Sequence, residues 1–166
     1  MSTFAHIEQK IQSPEQLNAT LTHWRRAGDT IVFTNGCFDI LHYGHLHYLA
    51  EARDLGHRLV VGLNSAASVQ RLKGPTRPIN DEATRAYLLA ALEVVDAVVF
   101  FGEDTPLALI RLVSPDVLVK GGDWKPEQIV GSDWVLAHGG QVRSLPFVEG
   151  YSTTNIEQKI LNNSRL

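Results

Sequence analysis

The sequence predicts an α/β fold of the doubly wound, Rossmann-like kind, with a single parallel five-stranded sheet and helices on both faces. Five short, largely apolar runs alternate along the chain with segments of helical pattern. Continuously apolar runs are typical of strands buried on both faces, because a half-exposed sheet would show polar residues at every second position. A length of 166 residues with 44% hydrophobic content is enough for one sizeable core.

The first predicted element is a helix that ends near Gly28. Ser13 is a favourable N-cap and Pro14 suits the first helical position, and apolar residues follow at helical spacing as far as Trp24. The predicted strands that follow are residues 30–34, 58–63, 97–101, 117–119 and 141–145. Helices are expected at about residues 46–55, 66–72, 81–92, 106–113 and 132–138, and a last helix begins near Thr153.

Such a sheet also predicts where a ligand binds. In doubly wound sheets, ligands collect beyond the carboxyl ends of the strands, at the point where the strand order reverses. The loops after the first, second, fourth and fifth predicted strands are therefore the places to search for a functional site.

Composition excludes several classes of function. The formal net charge is −3 with mixed signs, so no electrostatic footprint for nucleic acid is present. The single Cys37 cannot form an internal disulfide, and no apolar run approaches the roughly 20 residues that span a bilayer. The first ten residues lack the apolar core of a secretory signal. We therefore expect a cytoplasmic protein without nucleic-acid or membrane partners.

The loop after the first predicted strand, residues 35–45, carries the clearest chemical signal. It contains glycine and leads directly into a helix, and the free N–H groups of a helix start are a natural seat for phosphate. His42 and His45 are three residues apart at that helix start, so both can face one ligand. Neither GxxxxGK[ST] nor GxGxxG is present, so phosphate must be held in another way.

The segments His42-Tyr43-Gly44-His45 and Ser152-Thr153-Thr154 resemble the signature pair of the HxGH nucleotidyltransferase superfamily. Within it, NGCFDILHYGH, RLKGPTRPIN, DAVVFF with EDTP, PDVLVKGGDW and LPFVEGYSTT resemble the adenylyltransferases that act on heptose 1-phosphate. The resemblance implies transfer of AMP from ATP to D-glycero-β-D-manno-heptose 1-phosphate, which gives ADP-heptose and pyrophosphate for lipopolysaccharide and related glycans. We expect residues 1–28 to form an N-terminal helical extension, residues 29–166 to form the nucleotidyltransferase domain, and the protein to be a homodimer.

The resemblance also implies roles for particular residues. His42, His45 and Lys73 are the expected catalytic residues, and Asp39, Asn64 and Lys73 are expected to bind the acceptor. The expected nucleotide-binding residues are Cys37, Phe38, His42, Gly44, His45, Arg77, Gly121, Gly122, Asp123, Trp124, Tyr151, Ser152, Thr153 and Thr154. No protein-bound metal is expected, and Mg²⁺ would arrive with ATP. Catalysis would rest on positioning and cationic stabilisation while an acceptor phosphate oxygen attacks the α-phosphorus in line.

Two departures from related patterns bear on the substrate, because the first weakens a cytidylyltransferase interpretation and the second leaves the exact sugar open. Cytidylyltransferases for glycerol phosphate and choline phosphate read RTEGxSTT, whereas Phe147 replaces the arginine here, and Ala66 stands where heptose enzymes often have aspartate. The alternatives are a cytidylyltransferase acting on an alcohol phosphate such as glycerol 3-phosphate, and a non-catalytic nucleotide-binding module. A metal cluster of His42, His45 and His47 is a further alternative, although His47 should point away from the other two on a helix.

Overall fold

The structure is a computed structural model that describes residues 2–163. In chain order its elements are α1 (Thr3–Gln9), β1 (Ile11–Gln12), α2 (Pro14–Arg26), β2 (Ile31–Gly36), α3 (Tyr43–Arg53), β3 (Arg58–Asn64), α4 (Ala66–Lys73), α5 (Glu82–Ala90), β4 (Ala97–Phe101), α6 (Leu107–Val113), β5 (Val117–Gly121), a 3₁₀ turn (Pro126–Gln128), α7 (Ser132–Ala137), β6 (Gln141–Leu145) and α8 (Thr153–Asn163).

The predicted α/β class and single parallel sheet are confirmed, but the described sheet has six strands rather than five. The additional strand is β1, in which Ile11 pairs with Val98 and Gln12 with Val99. Two residues are too few to show a periodic pattern, so this strand exists only through its pairing with β4. The remaining strands lie where the sequence predicts them, and β2, β3 and β5 extend further at their carboxyl ends than predicted.

The strand order β1-β4-β3-β2-β5-β6 determines where a ligand can bind. From β2 the chain moves outward through β3 to β4, and then it returns to place β5 on the other side of β2. The order therefore reverses between β2 and β5. Their carboxyl ends, at Gly36 and Gly121, diverge into loops that leave a crevice beyond the sheet edge.

Two hydrophobic clusters cover the two faces of the sheet. Phe33 and Leu118 face one cluster, which also contains Leu21 of α2. Val32 faces the other cluster, which contains Leu49 of α3. Val32 and Phe33 are neighbours in one strand and both are fully buried, because successive strand residues point to opposite faces. The prediction of helices on both faces is confirmed.

The segment before residue 29 packs on this core. Helix α2 begins with a capping box in which Ser13 and Gln16 exchange hydrogen bonds of 2.8 and 3.3 Å between side chain and backbone. Its apolar face buries Leu17, Leu21 and Trp24 in the first cluster. None of the helices between residues 2 and 163 is both long enough and apolar enough to cross a bilayer.

Candidate active site

A cavity of about 170 Å³, here called the inner cavity, opens beyond the carboxyl ends of β2 and β5. Its walls are Asn35, Gly36, Cys37, Phe38, Asp39, His45, Tyr48, Lys73, Lys120, Gly121, Phe147 and Thr153. A second cavity of about 450 Å³, the outer cavity, is lined by His42, Gly44, His45, Tyr48, Lys73, Phe147, Val148, Tyr151, Ser152 and Thr153. The two share His45, Tyr48, Lys73, Phe147 and Thr153, so they adjoin.

The two histidines of the HxGH segment stand together at the start of α3. Their rings are stacked, with centroids 3.8 Å apart and planes inclined by 21°. Phe38 packs edge-on against His45, with ring centroids 5.3 Å apart. The Nδ1 atoms of both histidines are buried and have no hydrogen-bond partner in the part of the chain that the structure describes. Because these two atoms have almost no accessible surface, the rings line the outer cavity through their other atoms.

Burial keeps this histidine pair uncharged at neutral pH. Burial lowers the pKa of His45 to about 4, and the nearby His42 and Lys73 lower it further. Burial also lowers the pKa of His42. Near pH 7 the pair therefore offers hydrogen-bonding groups to a ligand, and the positive charge at the inner cavity comes from lysine side chains.

A residue larger than glycine would be crowded at position 44, because the His42 ring occupies the space beside Gly44. A Cβ atom at Gly44 would lie 3.1 Å from two His42 ring atoms and 3.1 Å from the Cβ of Tyr151. This close approach brings the segment before α8 against the start of α3. The two signature segments, which are far apart in sequence, therefore meet at the outer cavity.

Lys73 ends α4 and lines both cavities, whereas Arg77 in the loop that follows it does not line either. Arg77 donates from Nη1 to Asp39 at 3.0 Å and forms an ion pair with Glu157 of α8 through Nη2. Its guanidinium is thus held between two carboxylates. The loop 74–80 is tied by this arginine to both sides of the crevice.

Asp39 lines the inner cavity, but protein donors already surround its carboxylate. The amides of Ile79 and Asn80 donate to it at 2.8 and 2.9 Å, in addition to the Arg77 guanidinium. Burial acts to raise the pKa of Asp39, but the two amides and Arg77 together hold it below its ordinary value. The carboxylate therefore remains ionised and anchors the loop 74–80.

Asn64 is buried beside the inner cavity but does not line it. Its Nδ2 donates to Ser68 Oγ at 2.9 Å, and its backbone carbonyl accepts from the Arg85 guanidinium at 2.8 Å. The same Nη1 atom of Arg85 donates to the carbonyl of Cys37 at 2.9 Å, which ties the loop after β2 to the end of β3.

Burial raises the pKa of the Cys37 thiol, so the thiol stays protonated.

The opposite wall is built by Gly121, Phe147 and α8. A Cβ atom at Gly121 would lie 2.8 Å from the Phe147 ring, so the ring packs directly on the strand backbone. Trp124 turns away from the inner cavity and donates from its indole to the Gly121 carbonyl at 3.0 Å. At the start of α8, the Ser152 hydroxyl accepts from the Asn155 amide at 3.1 Å, and it also lines the outer cavity.

The structure thus brings together most of the residues that the sequence singles out. The inner and outer cavities include Cys37, Phe38, Asp39, His42, Gly44, His45, Lys73, Gly121, Tyr151, Ser152 and Thr153. The walls of these two cavities do not include Asn64, Arg77, Gly122, Asp123, Trp124 and Thr154.

Six lining residues lie outside the predicted site set, namely Asn35, Gly36, Tyr48, Lys120, Phe147 and Val148. Tyr48 follows His45 by three residues on α3, and that helical spacing is the signal that could have found it. Its hydroxyl bonds to Thr34 Oγ1, and burial raises the pKa of this phenol to about 12. Lys120 lies one residue beyond the predicted strand 117–119, and the strand pattern gives no signal for it.

The described residues provide no ready-made metal site. Between residues 2 and 163, no three His, Cys, Asp or Glu side chains stand close enough to share a metal ion. His47, the third histidine of the cluster considered above, instead pairs with Glu51 through Nδ1 at 3.5 Å.

Residues 33–159 match the family described as cytidylyltransferase-like. Two similar curated proteins, each named bifunctional protein HldE, come from Syntrophotalea carbinolica and Klebsiella pneumoniae. The first is 56% identical over 155 residues and the second 55% identical over 154 residues. Each alignment covers 93% of this chain and 32% of the relative, so the chain spans about a third of the length of these relatives.

Two solved structures resemble the chain. The lipopolysaccharide core biosynthesis protein from Thermoplasma volcanium has a TM-score of 0.60 at 31% identity, covering 75% of this chain and 100% of that one. The pantoate-β-alanine ligase from Francisella tularensis has a TM-score of 0.59 at 16% identity, covering 94% of this chain and 79% of that one. The second likeness concerns the fold alone.

Proposed function

Because this chain belongs to the cytidylyltransferase-like family and is a nucleotidyltransferase, we propose that it transfers AMP from ATP to D-glycero-β-D-manno-heptose 1-phosphate. The observation that carries the proposal is the groove formed by the inner and outer cavities. There the paired histidines, Lys73 and the start of α8 face one space beyond the switch point of the sheet. The products would be ADP-heptose and pyrophosphate.

The triphosphate of ATP would lie along the outer cavity. Thr153, the first residue of the 11-residue helix α8, lines that space, and the N–H groups of a helix start favour phosphate. The rings of His42 and His45 also line that space. Neutral imidazoles would donate ring N–H groups to phosphate oxygens and so stabilise the negative charge that grows on the leaving pyrophosphate.

The chemical step needs no covalent enzyme intermediate. An oxygen of the acceptor phosphate attacks the α-phosphorus and forms a new P–O bond, while the bond to the β-phosphate oxygen breaks and its electron pair leaves with pyrophosphate. Lys73 lines both cavities, so its ammonium would face the reacting phosphate and stabilise the charge on its equatorial oxygens. The Cys37 thiol is protonated and would not act as a nucleophile.

Magnesium would enter with the nucleotide. The carboxylate that lines the inner cavity, Asp39, is saturated by protein donors and is not free to bind a cation. The ion would therefore be held by triphosphate oxygens, where it offsets charge that the lysines alone do not neutralise. Full activity in excess chelator would contradict this part of the proposal.

The heptose acceptor and the preference for ATP rest on the relatives and on Phe147. The name of the Thermoplasma protein refers to lipopolysaccharide core biosynthesis, and that protein is 31% identical to this chain. At the position where alcohol-phosphate cytidylyltransferases have arginine, the Phe147 side chain is 68% exposed and lies against Gly121. A site with one fewer cation favours an acceptor that also binds through hydroxyl groups. Each hydrogen bond to such a hydroxyl contributes about 0.5–1.5 kcal/mol net to binding.

Pyrophosphate release tests the proposal directly. The enzyme is assayed with each of the four nucleoside triphosphates against heptose 1-phosphate, mannose 1-phosphate and glycerol 3-phosphate, and unphosphorylated heptose serves as the control acceptor. We expect the highest kcat/KM with ATP and heptose 1-phosphate. Equal rates with ATP and CTP would refute the base assignment, and a preference for glycerol 3-phosphate would support an alcohol-phosphate cytidylyltransferase instead.

A homodimer and a cytoplasmic location stay predictions, and light scattering after gel filtration tests the first.

A further inference from the structure

Lys120 stands at the boundary between the inner cavity and a third cavity. This third space, here called the side cavity, has a volume of about 230 Å³ and is lined by Asn35, Pro106, Lys120, Trp124, Gln128, Ile129 and Val130. Lys120 and Asn35 also line the inner cavity. A ligand that filled the side cavity would therefore reach the reacting groups past these two side chains.

No carboxylate in the described part of the chain neutralises the Lys120 ammonium. Among residues 2–163, no Asp or Glu oxygen forms an ion pair with it, whereas Arg77 nearby is held between Asp39 and Glu157. Burial lowers the pKa of Lys120, and the neighbouring Cys37 acts in the opposite direction. A half-buried cation without a counter-ion is costly unless an anion binds beside it.

The walls of the side cavity suit an uncharged polar molecule. Pro106, Ile129 and Val130 provide an apolar surface, and the Trp124 indole stands beside them. The amide side chains of Asn35 and Gln128 are the neutral hydrogen-bonding groups on its walls. A largely apolar wall with a few polar groups is typical of small-molecule sites, and sugars present both apolar C–H faces and hydroxyls.

We propose that the side cavity holds the sugar of the acceptor and that Lys120 and Asn35 hold its phosphate at the boundary with the inner cavity. This inference rests on the proposed function and identifies its acceptor subsite. It replaces the sequence-based expectation that Asp39 and Asn64 bind the acceptor, since their polar side-chain groups are bonded to other protein groups. It also replaces the expectation that Trp124 binds the nucleotide, since Trp124 lines the side cavity. From the boundary, the acceptor phosphate faces the inner cavity that Lys73 also lines.

The first test compares Lys120→Met with Lys120→Arg and with Lys159→Met, which removes the same charge from the exposed surface of α8. Loss of a charge-assisted contact should raise the KM for heptose 1-phosphate at least tenfold in Lys120→Met and leave the KM for ATP within twofold. Lys120→Arg, which keeps the charge, should recover most of that loss. Lys159→Met should leave both values unchanged, and circular dichroism melting confirms that each variant is folded.

A second variant keeps the test valid if Lys120→Met does not fold. Val130 is 43% exposed, so Val130→Trp can place a large ring at the side cavity without disturbing the core. Its control is Leu136→Trp, at an exposed position on α7 outside that cavity. We expect at least a tenfold rise in the KM for heptose 1-phosphate with Val130→Trp and no change with Leu136→Trp.

The outcomes separate the subsite from the proposed function. If Lys120→Met and Val130→Trp both keep the acceptor KM within twofold of wild type, the subsite is wrong while the transferase activity stands. If Lys120→Met raises the KM for ATP as much as that for the acceptor, Lys120 serves the nucleotide and the assignment also fails. If the wild-type enzyme prefers another acceptor, the proposed function is corrected, and the same variants then test the subsite with that acceptor.

Discussion

Replacing Asp39 by asparagine should destabilise the protein by about 3 kcal/mol. The Asp39 side chain is 1% exposed, and it accepts from the amides of Ile79 and Asn80 and from the Arg77 guanidinium. Asparagine keeps one acceptor oxygen and turns an NH₂ group toward donors, so about two charge-assisted hydrogen bonds are lost at roughly 1.5–3 kcal/mol each. Relaxation of the loop toward water places the expected value at the lower end of that range.

The assay is equilibrium unfolding in urea, with Asp104→Asn as the matched control. Asp104 pairs with Arg71 at 3.0 Å, but its side chain is 79% exposed, so the same substitution there should cost less than about 1 kcal/mol. Turnover should also fall in Asp39→Asn, because the loop 74–80 that Asp39 anchors follows Lys73 directly. An Asp39→Asn protein with wild-type stability and a raised acceptor KM would refute this reasoning and restore Asp39 as an acceptor ligand.

The stability difference between wild type and Asp39→Asn should change with pH in a definite direction. The folded-state pKa of Asp39 is held below the unfolded value of about 3.9. The stabilisation that the Asp39 carboxylate contributes to the folded state is therefore fully present above that unfolded pKa. It is lost as the pH falls through the lower folded-state pKa. The stability difference between wild type and Asp39→Asn should be constant near neutrality and shrink in acid. A difference that grew as the pH fell would contradict the assigned pKa direction.

Three further predictions concern the histidines and the core. His42→Ala and His45→Ala should each lower kcat at least 100-fold, about 2.7 kcal/mol, with unchanged folding by circular dichroism; near-normal turnover would remove them from the mechanism. Because the pKa of His45 is lowered to about 4, the stability that neutral His45 contributes is present above its unfolded pKa and is lost as the pH falls through about 4. His45→Gln should flatten this part of a pH-dependent unfolding curve, and an unaltered curve would refute it. Gly62→Ala should cost about 1–3 kcal/mol in urea unfolding, because its Cβ would lie 2.8 Å from the buried Phe33 ring, and a neutral result would show that the ring can move.

Elements with strong local signals were predictable from the sequence. Helix α2 begins with the capping residues that mark its start, and β4 is an apolar run that the structure reproduces at residues 97–101. The close approach of the His42 and His45 rings also follows from local geometry, because residues three apart at a helix start face the same side. These features depend on backbone preferences and spacing within a few residues.

Features that depend on distant pairing were decided only by the tertiary structure. β1 is a strand because Ile11 and Gln12 pair with β4, and no local pattern marks it. Asp39 looked free to bind an acceptor, but the loop 74–80 folds back and surrounds its carboxylate with donors. The charge state of such a group depends on which partners the fold brings to it, and sequence separation does not limit those partners.

By itself, the sequence determined the α/β class, the position of the switch-point loops and the HxGH and STT segments that mark the groove. Only the tertiary structure decided which charges in and beside that groove are free. Arg77 is neutralised by Asp39 and Glu157, whereas Lys120 has no carboxylate partner among residues 2–163. The physical reason is that an ion pair forms between side chains that folding brings within a few ångströms, and their distance along the chain does not reveal that proximity.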